Sequence, residues 1–208
     1  MSARYPVLHR PSWAPAEILE AGKRLKRLPP ADHEALGRLF DLVPAAAADA
    51  TVSQTAMVST SANGIEVAAA NRVDDELVAA FNRLIPQLSR SGAVPTPDLI
   101  REIVEAQAST VLIARDCRDN GRIVGMLTLV VFRIPTGVRA WIEDVVVDEA
   151  MRGRGVGEAL SQEAVRRAVR LGARTVELTS RPSREAANRL YQRLGFVRRD
   201  SNVYRYTP

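Results

Sequence analysis

The stretch Glu143-Asp144-Val145-Val146-Val147-Asp148-Glu149-Ala150-Met151-Arg152-Gly153-Arg154-Gly155-Val156-Gly157-Glu158-Ala159-Leu160 decides how this chain folds. An apolar run of β-branched residues ends at Asp148, three glycines follow within five positions, and a helical pattern begins at once. Glycines let a backbone turn sharply and bring its N–H groups close to a ligand. The helix start leaves further N–H groups without acceptors and adds a partial positive charge. Together with Arg152 and Arg154 this makes a site for a diphosphate. The spacing of Gly153, Gly155 and Gly157 does not fit G-x-G-x-x-G. The acidic residue about 20 positions on, which a dinucleotide fold uses to hold a ribose, would be Glu177, inside the next strand. No Gly-Lys-Ser/Thr is present, so a nucleotide P-loop is excluded.

Outward from that stretch the pattern is regular. Ile65–Ala70, Val111–Ala114, Val124–Phe132, Trp141–Val147 and Val176–Thr179 read as strands, and Phe196–Arg198 with Val203–Tyr206 as two closing ones. Asp74 or Asp75 caps a helix through Leu88 whose apolar set is Leu77, Val78, Phe81, Leu84, Ile85 and Leu88. Thr96 or Asp98 starts a second helix through about Gln107. Helices from Gly155 to Leu171 and from Ser183 to Leu194 are stopped by Gly172 and Gly195. Asp119-Asn120-Gly121 and Pro135-Thr136-Gly137 are turns, so the middle strands pair antiparallel. The unit from Trp141 to Thr179 is strand-helix-strand and adds one parallel neighbour. The expected class is α/β, a mixed and mostly antiparallel sheet flanked by helices. Residues 64–208 would form this domain and residues 1–63 an N-terminal extension. In the extension Ala14–Leu28 and Ala31–Val43 read as short helices, and Pro44–Ala62 reads as a linker.

Composition narrows the chemistry. The 208 residues are 46% apolar and 25% charged, ordinary values for a globular chain. Cys117 is the sole cysteine, so an internal disulfide framework and CxxC zinc sites are excluded. His9 and His33 are the sole histidines, and a Ser-His-Asp triad in the main body has none to use. No apolar run of about 18 residues appears, so no membrane span is expected. The first residues carry charge without an uninterrupted apolar stretch, so no secretory signal is expected and a reducing cytoplasm fits. The net charge of +5 is uneven. Residues 152–208 hold thirteen Arg against five Asp/Glu, while the rest of the chain is net negative. A basic quarter suits an anionic ligand. The aromatic-interleaved strands of an RNA-binding sheet are missing, so nucleic acid is not the expected partner.

The glycine loop resembles the acyl-CoA-binding motif of the GCN5-related N-acetyltransferase (GNAT) family, Q/R-x-x-G-x-G/A, with Arg152, Gly155 and Gly157 in the fixed places. A second segment, Ala187-Asn188-Arg189-Leu190-Tyr191-Gln192-Arg193-Leu194-Gly195-Phe196, is similar to the family's A-x-x-L-Y-x-x-x-G-F signature. The resemblance covers about residues 64–208. It implies acetyl-CoA as cosubstrate and a primary amine as acceptor, on a small molecule or a peptide. The pantetheine arm would lie along Val145, Val146 and Val147. The diphosphate would lie on the loop Arg152, Gly153, Arg154, Gly155, Val156, Gly157 and Glu158, with Asn188 and Tyr191 lining the channel. The thioester would enter a gap between strands 141–147 and 176–179. Tyr191 would protonate the leaving thiolate, a backbone N–H near Val145 would hold the oxyanion, and Glu143 would be the general base or bind the acceptor's charge. A regular strand would turn Asp144 to the opposite face from Glu143. Ile142–Val147 followed by Arg-Gly is also similar to glucosamine-phosphate N-acetyltransferases, which adds amino sugar phosphates to the acceptors. Dimers are common in the family. The competing expectation is an acyl-CoA-binding regulatory module without turnover.

Overall fold

A computed structural model of the chain describes residues 59–60, 63–89 and 93–207. The two helices and most of the linker read in the first 58 residues lie outside them. Of these, residues 59–60, 63–89 and 93–190 belong to one compact unit, and residues 191–207 to another.

The first unit is a six-stranded sheet whose strands follow chain order: β1 (Ser59–Thr60), β2 (Ile65–Ala69), β3 (Ser109–Asp116), β4 (Arg122–Ile134), β5 (Gly137–Val147) and β6 (Ala173–Leu178). All neighbours are antiparallel except β5 and β6. The mixed, mostly antiparallel sheet is thus as expected. β1 was not expected: its two residues, in the stretch read as linker, pair with Glu66 and Val67. Among the described residues four helices accompany the sheet: α1 (Asp75–Leu88), α2 (Pro97–Glu105), α3 (Val156–Arg170) and α4 (Glu185–Arg193). The last crosses from one unit into the other.

Local chemistry sets the boundaries. The Asp74 carboxylate accepts the Leu77 N–H at 3.0 Å, capping α1. The Thr96 hydroxyl caps α2, with Pro97 at its first position. Asn120 and Gly121 both have positive φ and turn β3 into β4. One face of the sheet carries the core under α1 and α2, built from Leu77, Phe81, Leu84, Ile100, Val111, Ile113, Ile123, Met126 and Val146. α3 lies against the other face. There Gly125 is required: a Cβ on it would stand 2.9 Å from Val156 Cγ1 and 3.0 Å from the Val146 carbonyl oxygen. The bare glycine seats the first residue of α3 directly on the strands.

The two closing strands are absent. Residues 194–207 contain no helix or strand, and Val197, Val203, Tyr204 and Tyr206 are largely exposed. The reason is visible at the end of α4. The Phe196 N–H donates to the Tyr191 carbonyl and the Gly195 N–H to that of Gln192, both at 3.0 Å, with Gly195 at φ +89°. This is a Schellman stop. It spends the Phe196 amide on the helix end instead of a ladder. A pair of strands with no buried face has little to hold it.

Candidate functional site

β5 pairs with β4 along its length but with β6 only from Val138 to Ile142. Beyond Ile142 the two parallel strands part, and among the described residues no strand lies beside the edge of β5 from Glu143 to Val147. The Asp148 N–H donates to the Val124 carbonyl on β4. By alternation Val146 also faces β4 and Val147 turns its main-chain groups to the vacated side. Val146 is 4% exposed, its side chain in the core. Val145 and Val147 are half-buried. Ser180, two residues past the end of β6, has a buried hydroxyl with no hydrogen-bond partner among the described residues. Such an orphan is what a polar group of a ligand satisfies. Nothing in the sequence singled it out.

The strand edge is also irregular. Thr128 pairs with Glu143 and Met126 with Val146, so Leu127 faces the two residues Asp144 and Val145. This is a β-bulge, with Asp144 at φ +51°. The expected alternation of Glu143 and Asp144 fails for this reason, and both are exposed. Trp141 and Glu143 stay in phase on one face. The indole N–H donates to Glu143 Oε1 at 2.6 Å. The same pairing brings Val130 and Glu177 beside Trp141.

At the end of β5 comes the glycine loop. A short 3-10 turn, Glu149–Met151, leads into it. Gly153 has φ +77° and Gly155 φ +84°, a conformation costly for any residue with a Cβ. Space beside Gly153 is open to 4 Å. Gly155 is the N-cap of α3, and no side chain among the described residues caps that end. The first-turn amides at Val156, Gly157 and Glu158 therefore have no acceptor within the helix. Gly157 lies against Leu190 and Val147, where a Cβ would be 3.3 Å and 3.7 Å from their side chains. Arg152 pairs with Glu149 at 3.2 Å. The arrangement fits a bound diphosphate.

The corner before the loop is held by residues the sequence reading passed over. Asp148, 7% exposed, receives Arg83 at 3.1 Å and Arg122 at 3.3 Å. Its other oxygen accepts the Ala150 N–H, capping the 3-10 turn. One turn along α1 from Arg83, Gln87 accepts the Glu149 N–H at 2.8 Å. An Asp directly after an apolar strand and before a turn was the available signal. The i, i+4 spacing of Arg83 and Gln87 on the polar side of α1 was not one that composition could reveal.

α4 carries the second motif. Asn188 donates to the carbonyls of Arg181 at 3.1 Å and Pro182 at 3.4 Å, fixing the loop after β6. Arg184 donates to the Leu88 carbonyl at the end of α1. Within the second unit, the Tyr191 and Phe196 rings meet edge to face, their centroids 5.8 Å apart. Tyr191 and Phe196 are the C3 and C″ positions of the Schellman stop, whose hydrophobic contact they supply. The Leu-Tyr-x-x-x-Gly-Phe pattern is thus a helix terminus that also locks the orientation of the tyrosine.

Residues 77–196 match the family described as the acetyltransferase (GNAT) family. The chain belongs to that family. It is 34% identical over 87 residues to an uncharacterized N-acetyltransferase of Methanocaldococcus jannaschii, covering 40% of this chain and 38% of that one. The chain thus spans about two fifths of the length of that relative. Among solved structures it is similar to a transcriptional regulator from Bacillus halodurans C-125, at 25% identity and a TM-score of 0.57, over 68% of this chain and 99% of that one. It also resembles an aminoglycoside acetyltransferase from an uncultured soil metagenomic sample, in complex with sisomicin, at a TM-score of 0.60 and 17% identity. That likeness covers 70% of this chain and 97% of that one and is one of fold alone.

Proposed function

We propose that the protein transfers the acetyl group of acetyl-CoA to a primary amine by direct attack. The observation that carries this reading is the parting of β5 from β6 beyond Ile142, directly before an uncapped glycine loop. An extended amide chain ending in a diphosphate is what such an edge and loop accept. In this reading Val145 and Val147 border the pantetheine arm and residues 152–158 hold the diphosphate. Asn188 keeps the loop after β6 in place at the channel wall.

The chemistry assigns the remaining roles. The amine nitrogen attacks the thioester carbonyl, forming the C–N bond. Glu143, directly or through water, takes the proton the nitrogen sheds. A backbone N–H at the bulge near Val145 holds the oxyanion. Collapse breaks the C–S bond, and the thiolate takes its proton from the Tyr191 hydroxyl, which solvent restores. The products are an N-acetyl amide and CoA. Trp141 holds the Glu143 carboxylate on the open face of the sheet, where the acceptor approaches. An amine on an amino sugar, aminoglycoside or peptide suits this exposed, acidic face, and the reducing cytoplasm is its proposed compartment.

Release of thiol from acetyl-CoA against a panel of such amines tests the reading. Amine-dependent release is the expected result. The second reading, an acyl-CoA sensor without turnover, is favoured by the likeness to a transcriptional regulator. Binding of acetyl-CoA with no thiol release on any amine would select it.

A further inference from the structure

The gap that opens between β5 and β6 beyond Ile142 has two walls. One is the end of β5 with the turn that leads into the glycine loop. The other is the loop after β6, residues 179–184, which runs into α4. Both walls are gripped by the same turn of α1, residues 86–89. We propose that this turn is a hinged link that sets the width of the gap, and that Gln87 and Arg184 are the positioning residues through which it acts. The proposal rests on the reading of the gap as the acyl-CoA site.

Two neighbours in the chain reach opposite walls. Gln87 Oε1 accepts the Glu149 N–H at 2.8 Å, just past the end of β5. The Leu88 carbonyl accepts an N–H of the Arg184 guanidinium at 3.1 Å, at the start of α4. Both side chains are aimed. Gln87 Nε2 donates to the Arg83 carbonyl at 3.1 Å, and Arg83 is itself fixed by Asp148 and the Ile123 carbonyl. The Arg184 main-chain N–H donates to the Arg181 carbonyl at 3.0 Å, and its own carbonyl accepts the Asn188 N–H at 2.9 Å. Each grip therefore joins two groups that are already held in place, and its geometry is carried into the wall behind it.

The backbone of α1 is weakened where these grips begin. Pro86 stands inside the helix. It has no N–H for the carbonyl of Asn82, four residues back, so one bond that would tie the last turn to the turn before it is missing. Up to that point Leu77, Ala80, Phe81 and Leu84 are buried in the core. After it Gln87, Leu88 and Ser89 are only half-buried. The helix thus has a seated body and a last turn whose polar groups belong to the walls. A movement of one wall passes to the other through two adjacent residues, at the place where β5 and β6 no longer hold each other.

Amide exchange read by NMR on the full chain tests the link without a ligand. The reporters are the Met151 and Arg152 amides before the glycine loop and the Arg184 and Asn188 amides on the other wall, all hydrogen-bonded. Gln87→Met cuts the bond to Glu149, and Arg184→Met cuts the bond to Leu88. Each is expected to speed exchange about fivefold or more at the reporters of both walls. Gln87→Glu keeps an oxygen for the Glu149 N–H, and Arg184→Lys keeps a donor for the Leu88 carbonyl. Both should bring exchange back toward that of the natural chain. Faster exchange confined to the wall whose bond was cut overturns the proposal. Faster exchange at the buried Leu112 and Leu127 as well also overturns it, as a general loss of stability. Calorimetric titration with acetyl-CoA then reads the gap itself. Each Met variant should weaken binding about fivefold, and the double variant far less than the product of about 25-fold that independent sites would give. The full product, or unchanged affinity, rejects the link while leaving the acyl-CoA reading standing. Failure of the natural chain to bind acetyl-CoA would remove that reading and this proposal with it.

Discussion

Tyr191 has a ring fixed by Phe196 and a place on the last turn of α4. If its hydroxyl supplies the proton to the leaving thiolate, Tyr191→Phe removes one atom and leaves the aromatic contact. The expected result is a fall in kcat of about 10²-fold or more with little change in acetyl-CoA affinity. Unchanged kcat would dismiss the tyrosine as acid. Glu143→Gln tests the other half of the proton path. The carboxamide keeps an oxygen for the Trp141 N–H but cannot take a proton. The expected outcome is a loss of about 10²-fold in kcat/KM at neutral pH, carried by kcat, with partial recovery as rising pH deprotonates the amine. A rise in KM alone would make Glu143 a ligand for the acceptor's charge. The position of Tyr191 at the end of α4 was legible because the Leu-Tyr-x-x-x-Gly-Phe spacing marks a helix stop, whereas Glu143 was singled out only by its place on the strand before the glycine loop. The face of Asp144 was not, because a bulge is a pairing event: it depends on which residue of β4 stands opposite, and no single strand announces that.

Helices and strands were legible where period and punctuation agreed. Asp74, Thr96, Gly172 and Gly195 each stand at the helix end they predicted. The closing strands were misread because Phe196 has two uses. Its apolar, aromatic character fits a strand, but a glycine directly before it recruits its amide to the helix stop. Gly195→Ala should expose this. With φ at +89°, an added Cβ costs about 1 kcal/mol, read as a lower melting temperature, and it should lower kcat through Tyr191. Gly125 gives the matching test in the sheet. Gly125→Val drives a branched side chain into Val156 and the Val146 carbonyl. Overpacking of this kind costs about 1–3 kcal/mol. Because it lifts the N-terminus of α3 from the strands, acetyl-CoA affinity should fall more than the melting temperature alone would suggest. Equal cofactor affinity in a folded variant would show that α3 is not seated by this contact.

Across the molecule, charge does two kinds of work. Part of the basic quarter is internal. Glu163 is almost fully buried in α3 and meets Arg166 at 2.9 Å, Arg167 at 2.7 Å and Arg170 at 3.4 Å. Burial pushes its carboxyl up, but the hydrogen bonds and charges of Arg167 and Arg166 outweigh that and hold it below the usual carboxylate range. A depressed carboxylate stabilises the fold above its unfolded pKa and loses that contribution as pH falls through the folded one. Glu163→Gln should therefore cost about 1.5–3 kcal/mol near pH 7, and the gap between the two melting temperatures should narrow steadily below about pH 4.5. A constant gap would mean that packing, not charge, holds Glu163 in place. Arg152 and Arg154 stand at the loop, the first paired with Glu149. The split of charge was readable from composition, but not which arginines are paired within the fold, which needs the partners of each one. Excess acetyl-CoA at a hundredfold its dissociation constant should raise stability by about 2.7 kcal/mol, seen as a shift in melting temperature that NADH and ATP do not reproduce.

The sheet runs β1 to β6 in chain order, so a ribosome delivers its strands in the sequence in which they pair. Five strands can zip by local contacts before the crossover through α3 brings the sixth. Until then the whole length of β5 is an open edge, ready to pair with a neighbouring polypeptide. The stretch of β5 beyond Ile142, which β6 leaves unpaired, is the remnant of that edge. Nascent chains halted at Arg170 should therefore aggregate, and chains released past Leu178 should not, in a synthesis arrested at each length and assayed by sedimentation.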